Sequence, residues 1–161
     1  MKGFGNVRAK FQVLIFPYCV INNQIKFVVL KREDLGVWQG IAGGGEDDEL
    51  PLQAAKREAS EELNISLLSE YISLDSIASI PANNFKNHVK LWGENTFVIP
   101  EYSFGVLVTN DALKLSEEHT EYRWCSYDEA INLLEWDSNK TALWELNERL
   151  KRKHKLNNVS L

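Results

Sequence analysis

Three glutamates carry the strongest chemical signal in this sequence. Glu58, Glu61 and Glu62 stand at i, i+3 and i+4 in a stretch free of helix breakers. At 3.6 residues per turn, that spacing gathers their carboxylates into an arc of about 100°. Like charges so placed destabilise a helix by a few tenths of a kcal/mol per pair, and a hard divalent cation is the natural counterweight. Mg²⁺ prefers carboxylate oxygens, keeps several waters and is commonly completed by substrate phosphates. Taken alone, three glutamates read first as a solvated acidic face. Their neighbours reverse that reading.

Gly43, Glu49, Arg57, Glu58, Ala59, Glu61, Glu62 and Ile65 follow Gly-x5-Glu-x7-Arg-Glu-U-x-Glu-Glu-x-Gly-U, where U is aliphatic. The segment resembles the Nudix box, and so many fixed positions at fixed spacing make a chance match improbable. One position departs: Asn64 stands where the pattern has its final glycine. That glycine ends a helix at positive φ, and Asn is the next best residue for the conformation. The departure touches a cap, not the chemistry. The resemblance implies a set of roles. Glu58, Glu61 and Glu62 would ligate Mg²⁺ (or Mn²⁺), with the Gly43 carbonyl adding a backbone oxygen. Arg57 and Glu49 would form an ion pair bracing loop and helix, and Glu61 would belong to the catalytic group. The implied reaction is attack of water on phosphorus in a diphosphate linkage. The implied fold is a mixed α/β one, a mixed β-sheet sandwiched between helices.

The elements that must position these residues are legible in outline. Phe11–Ile21 and Ile25–Lys31 are strand-like runs joined by Asn22-Asn23-Gln24, a hairpin signal because Asn tolerates positive φ. A glycine run, Gly43-Gly44-Gly45, leads to a helix whose first turn suits Pro51, with Asp47, Asp48 and Glu49 at the positive end of its dipole. Leu52, Ala55, Ala59 and Leu63 recur at helical spacing as its buried stripe, with the glutamates directed away from it. Tyr71–Ile80 reads as a strand and Pro81–Asn95 as an irregular connection. Thr96–Ile99 and Tyr102–Val108 read as two strands split by Pro100, followed by a strand over Glu121–Ser126. Helices follow over Asp128–Trp136 and from Asp137 or Ser138 to about Lys153. No repeat or linker divides the chain, so residues 1–161 are expected to form one domain.

The resemblance extends beyond the box. Leu30-Lys31-Arg32, Val37-Trp38-Gln39, Ala54-Ala55, Glu118-His119 and Tyr122-Arg123-Trp124 look like dihydroneopterin triphosphate diphosphatases and related nucleoside triphosphate pyrophosphohydrolases. This implies Glu118 as an off-helix metal ligand or base, the alternative being an exposed loop acid. Arg32 suits phosphate oxygens, although as a strand-end residue it could equally do nothing. Trp38 with Gln39, and Trp92, are candidates to hold a flat ring, against a packing role; Trp124, Trp136 and Trp144 read as core. Pro81, about sixteen residues past the box, keeps ADP-ribose or a nucleotide sugar open as substrate. A non-catalytic nucleotide sensor is a further alternative, disfavoured because every box acid is present.

Composition sets the remaining limits. A net charge of −5 and pI near 5.3 disfavour nucleic acid as a partner, but not a small nucleotide-like substrate held through cations. Cys19 and Cys125 form no C-x-x-C pair and read as reduced thiols of a cytoplasmic protein. Gln12 and Pro17 interrupt the first apolar run, which argues for a buried strand rather than a signal peptide, and no run approaches the ~18 residues of a membrane span.

Overall fold

The computed structural model describes residues 7–109, 113–117 and 119–159. Its organising element is β1 (Arg8–Ile21), which turns into β2 (Gln24–Arg32) through Asn22 and Asn23, at φ 52° and 64°. Both central residues at positive φ make the turn whose twist matches that of paired strands. The chain continues through β3 (Trp38–Gln39), β4 (Ile41–Glu46), α1 (Pro51–Leu63) and β5 (Tyr71–Pro81). A 3₁₀ turn (Ala82–Phe85) and the single turn α2 (Val89–Trp92) fill the connection to β6 (Val98–Leu107). Then come β7 (His119–Cys125), α3 (Tyr127–Leu133) and α4 (Asp137–Val159).

One seven-stranded sheet runs in the order β3-β2-β1-β6-β5, with β4 added to β1 and β7 to β2. At 14 residues, β1 is long enough to serve two partners along one edge. Its end pairs antiparallel with β2, its beginning pairs antiparallel with β4, and β6 lies parallel on the other edge. Strand parity then divides the core. Val13 and Ile15 of β1, with Val28 and Leu30 of β2, face Ala54, Ala55, Ala59 and Leu63 of α1. Leu14, Phe16 and Tyr18, with Phe27 and Val29, face Ala142, Leu143 and Leu146 of α4. Burial on both faces explains why these strands read as continuous apolar runs rather than alternating ones. The expected sheet between helices is therefore the observed architecture. Among the described residues, no helix is long and apolar enough to cross a membrane.

Several local expectations are corrected. The glycine run is not a bare loop, because Ile41–Glu46 pairs with β1 as a strand. Pro100 does not split a strand either: Val98–Leu107 is continuous, and Pro100 pairs with Ser79 before contact with β1 begins at Glu101. Its missing N–H therefore removes no bond to β1. Leu52 is 37% exposed, while Glu58 and Glu62 are buried beside Ala55 and Ala59, so the inward face of α1 includes two of its acids. No acidic residue occupies the first turn of α1, and Asp47 instead makes a turn at φ 50°. The third helix stops at Leu133, and the fourth runs past Lys153 to Val159.

Asn64 caps α1 at φ 58° and ψ 35°, its N–H donating to the Ser60 carbonyl at 3.0 Å while the Ile65 N–H donates to that of Ala59 at 3.3 Å. The left-handed conformation costs an L-residue about 1–2 kcal/mol, and glycine escapes it. Asn64→Gly should raise Tm by about 1–3 °C, and Asn64→Val should lower it, in scanning calorimetry. A stabilising Asn64→Val would contradict this cap.

Candidate active site

The turn from β4 into α1 is held by one guanidinium. Arg57 Nε and Nη2 donate to the two carboxylate oxygens of Glu49 at 2.9 and 3.0 Å, a bidentate pair. Nη2 also donates to the Gly44 carbonyl at 2.8 Å. Nη1 donates to Glu58 Oε1 at 2.9 Å and Glu61 Oε2 at 3.3 Å, and lies 3.6 Å from Glu46. Glu49 closes the loop by accepting from the Glu46 N–H at 2.8 Å. Burial works against the charge on Glu49, but the bonds from Arg57 outweigh it and hold the carboxyl below its usual value. The same bonds, that to Glu49 foremost, raise the Arg57 pKa.

The acids of α1 differ in surroundings. Glu61 is partly exposed, its side chain 36% accessible. Glu58 is buried, and that burial pushes its carboxyl up to about 7, Arg57 opposing the shift while Glu61 and Glu62 add to it. Glu62 Oε2 accepts from Ser116 Oγ at 2.8 Å and lies 2.8 Å from His119 Nδ1. Ser116 N–H and Lys114 N–H bond the last carbonyls of α1, so the segment before β7 is tied to the helix end. Gly43 lies against Glu58: a Cβ there would fall 2.2 Å from the carboxyl carbon and 2.4–2.5 Å from both oxygens. Only a glycine lets the strand backbone approach that closely. Among the described residues no three Asp, Glu, His or Cys side chains converge on one metal point, and Arg57 Nη1 bonds both Glu58 and Glu61. Glu118 lies outside the described residues.

Beside the box loop runs a cleft of about 770 Å³ lined by Arg8, Arg32, Gly43, Gly44 and His119. Gln12, Arg32, Gln39, Ala42, Asn84 and Phe85 also line an inner cleft of about 320 Å³, so the two are continuous. The inner end adds Glu101, Trp136, Ser138 and Asn139. Its polar groups are built into the fold. Gln39 Oε1 accepts from Trp136 Nε1 at 3.1 Å, and Asn139 Oδ1 accepts from the Gly40 N–H at 2.9 Å. Arg32 is held by Asp34, with Nε donating at 2.9 Å. Arg8 bonds the Phe11 carbonyl at 2.6 Å and lies 5.1 Å above the Phe85 ring. A groove of comparable size along α4 contains no box residue, and its Glu145 is already engaged by Arg149 and the Asp75 and Ser76 N–H groups.

The sequence-level candidates separate here. Gly43, Glu49, Arg57, Glu58, Glu61 and Glu62 come together, and Arg32 and Gln39 line the adjoining cleft. Trp38 does not: it packs on the α3–α4 side of the sheet, with the Arg123 guanidinium 4.9 Å from its ring. Trp92 is 6% exposed, packs with Ala82 and Ile99, and donates from Nε1 to the Arg8 carbonyl. Neither ring lines the cleft. Trp136 does, at 41% exposure, and Trp144 is 53% exposed on α4; both correct the expectation of core residues. Arg8, Gln12, Phe85, Glu101 and Asn139 were missed, because each stands outside the box in a segment that reads as ordinary strand, loop or helix.

Glu101 is the inner cleft's buried acid, and burial alone pushes its carboxyl from 4.5 to about 7. The folded chain thus holds this proton over a pH range where the unfolded chain has lost it. Glu101 weakens the fold as pH rises through that window, fully so above it. Glu101→Gln should raise Tm at pH 8 by several degrees and by clearly less at pH 5, in thermal melts at both values. An equal change at both would show the carboxyl to be unshifted.

A NUDIX domain profile matches residues 14–144. The chain is 25% identical over 132 residues to the dihydroneopterin triphosphate diphosphatase of Haemophilus influenzae, covering 81% of this chain and 83% of that one. It is 30% identical over 128 residues to the asymmetrical bis(5'-nucleosyl)-tetraphosphatase of Rattus norvegicus, covering 78% and 81%. Among solved structures, a candidate NUDIX hydrolase from Listeria monocytogenes superposes with TM-score 0.81 at 49% identity, over 90% of this chain and 97% of that one. The dihydroneopterin triphosphate pyrophosphohydrolase of E. coli superposes with TM-score 0.71 at 22% identity, over 88% and 98%, a likeness of fold. With the box assembled on α1 and the profile spanning most of the chain, the protein belongs to the Nudix family and is a Nudix pyrophosphohydrolase.

Proposed function

We propose that this enzyme cleaves a nucleoside triphosphate-like substrate, of the dihydroneopterin triphosphate or (d)NTP kind, to a monophosphate and pyrophosphate. The observation that carries the reading is the cleft that runs from Gly43 and Gly44, beside the box acids, to an inner end at Trp136 and Asn139. Arg8 and Arg32 at its outer end suit a phosphate chain, and Phe85 and Trp136 at its inner end suit a flat heterocycle. The names of the relatives from Haemophilus influenzae and E. coli support a triphosphate. The rat relative's name favours a second reading, a dinucleoside polyphosphate, which would extend past the outer cleft.

Mg²⁺ or Mn²⁺ would be held by Glu58, Glu61 and Glu62 with the Gly43 carbonyl, and Glu118 is the off-helix acid proposed to complete the set. The residues present fit a hard cation: the donors are all oxygen, and Glu58 is buried where its charge lacks a full counterweight. When bound, the metal lowers the pKa of a water, orients it and neutralises charge building on phosphate oxygens. The chain supplies the rest. Arg57, anchored on Glu49 and Gly44, keeps Glu58 and Glu61 on the side of α1 that faces the glycine strand. Arg8 and Arg32 line the outer cleft as guanidinium contacts for phosphate oxygens. Phe85 and Trp136 flank the heterocycle, taking the role assigned from sequence to Trp38 and Trp92. Anchoring both ends fixes which phosphorus meets the water, a positioning effect capable of large rate gains.

Glu61→Gln should lower kcat at least ~10²-fold and raise the Mg²⁺ concentration needed for half-maximal rate, with the fold intact by circular dichroism. Activity within tenfold of the wild type would remove Glu61 from the metal set. The bond cleaved is tested by hydrolysis in ¹⁸O-labelled water with product masses read by mass spectrometry. Label in the monophosphate is expected, marking attack at the innermost phosphorus; label confined to pyrophosphate places attack one phosphorus further out. Orthophosphate as the first product would sink the pyrophosphohydrolase reading.

A further inference from the structure

Glu101 begins the part of β6 that pairs with β1, opposite Gln12, and lines the inner cleft. It is 6% exposed, and its Oε1 has no hydrogen-bond partner among the described residues. An unpaired buried acceptor is costly, and more so for a charged group. The polar neighbours do not relieve it, because none of their N–H groups donates to Oε1, and their oxygens are engaged elsewhere. Gln39 accepts from Trp136, Asn139 from Gly40 N–H, and Gln12 from Arg8 Nη2 at 2.5 Å. Among the described residues no ammonium or guanidinium offsets the burial of Glu101, and the Arg32 lining the same cleft is paired with Asp34. A deep, unpaired acceptor in a cleft also lined by Phe85 and Trp136 is open to donors from a ligand.

We propose that Glu101 selects the substrate's heterocycle by accepting hydrogen bonds from two adjacent donors, a ring N–H and the exocyclic amine beside it. That edge belongs to 2-amino-4-oxo rings of the guanine or pterin type. Adenine and cytosine set an amine beside a ring nitrogen acceptor, and uracil sets one N–H between two carbonyls. A carboxylate at Glu101 meets a lone pair in each of these. The inference rests on the cleft holding the substrate ring, as proposed above, and adds which ring it holds.

The residue also predicts its own reversal. Gln at this position offers one acceptor and one donor, the complement of an adenine edge, and turns a donor toward the N–H of guanine or pterin. The test is calorimetric titration at pH 8, above the raised value of about 7 so that the carboxyl is ionised, of wild type and Glu101→Gln with GMP, neopterin monophosphate, IMP and AMP. Alongside it, kcat/KM is measured for the corresponding triphosphates. Wild type should bind GMP or neopterin monophosphate at least ~10-fold tighter than IMP, which lacks the amine, and than AMP. Which of the two binds tighter identifies the source of the ring. Glu101→Gln should lose that preference and bind AMP at least as well as GMP. Equal wild-type affinity for GMP, IMP and AMP overturns the proposal, and so does a preference that survives the substitution. The wild-type series needs no variant, so a misfolded Glu101→Gln leaves the proposal open to refutation. If the binding preference holds while no triphosphate is hydrolysed, the triphosphate reading fails and the role of Glu101 stands. If triphosphates are hydrolysed without ring preference, the reverse is true.

Discussion

The Arg57 guanidinium is the constraint on which the site depends. It joins three pieces of chain: the loop acid Glu49, the Gly44 carbonyl of β4, and the helix acids Glu58 and Glu61. Because the guanidinium is planar and forked, these bonds fix direction as well as distance. The half-buried cluster contributes little net stability, since desolvating charges cancels much of the attraction between them. What it supplies is geometry. It holds the loop turned back upon α1, so that Gly43 meets Glu58 in contact too close for any side chain.

That arrangement requires β4, and β4 requires the length of β1. By pairing its beginning with β4 and its end with β2, β1 places Gly43 and Gly44 beside Val13 and Gln12. On its other edge, β6 brings Glu101 opposite the same Gln12. The box end and the inner end of the cleft are thus registered on one strand. Strand parity does the remaining sorting. At β3, Gln39 turns to the cleft while Trp38 turns to the α3–α4 core, and the start of α4 brings Trp136 and Asn139 to the cleft.

The buried acids mark where stability gives way to function. Glu58, Glu62 and Glu101 are all nearly inaccessible, and burial pushes Glu58 and Glu101 up to about 7. A structure selected for stability alone would place apolar groups there. At Glu58 the counterpart is proposed to be a cation, and at Glu101 the donor edge of a substrate. Glu62 differs, having Ser116 and His119 within the fold, which reads as support for the helix end facing β7.

What the sequence determined by itself is everything that short covalent spacing encodes. The i, i+3, i+4 acids, Arg57 at the right remove from Glu49, Pro51 at the helix start, Asn64 at its end and the Asn22-Asn23 turn each depend on a few neighbouring residues. Tertiary structure decided what depends on pairing and facing. The glycine run became a strand because β1 supplied backbone partners, a bond that side-chain types do not announce. Pro100 sat inside a strand because pairing with β1 begins only at the next residue, Glu101. The five tryptophans are alike in sequence, and only parity and packing bring Trp136 to the cleft while burying Trp92. Glu101 was invisible for the same reason. Its significance is the lack of a partner, and a missing contact exists only once every other contact has been made.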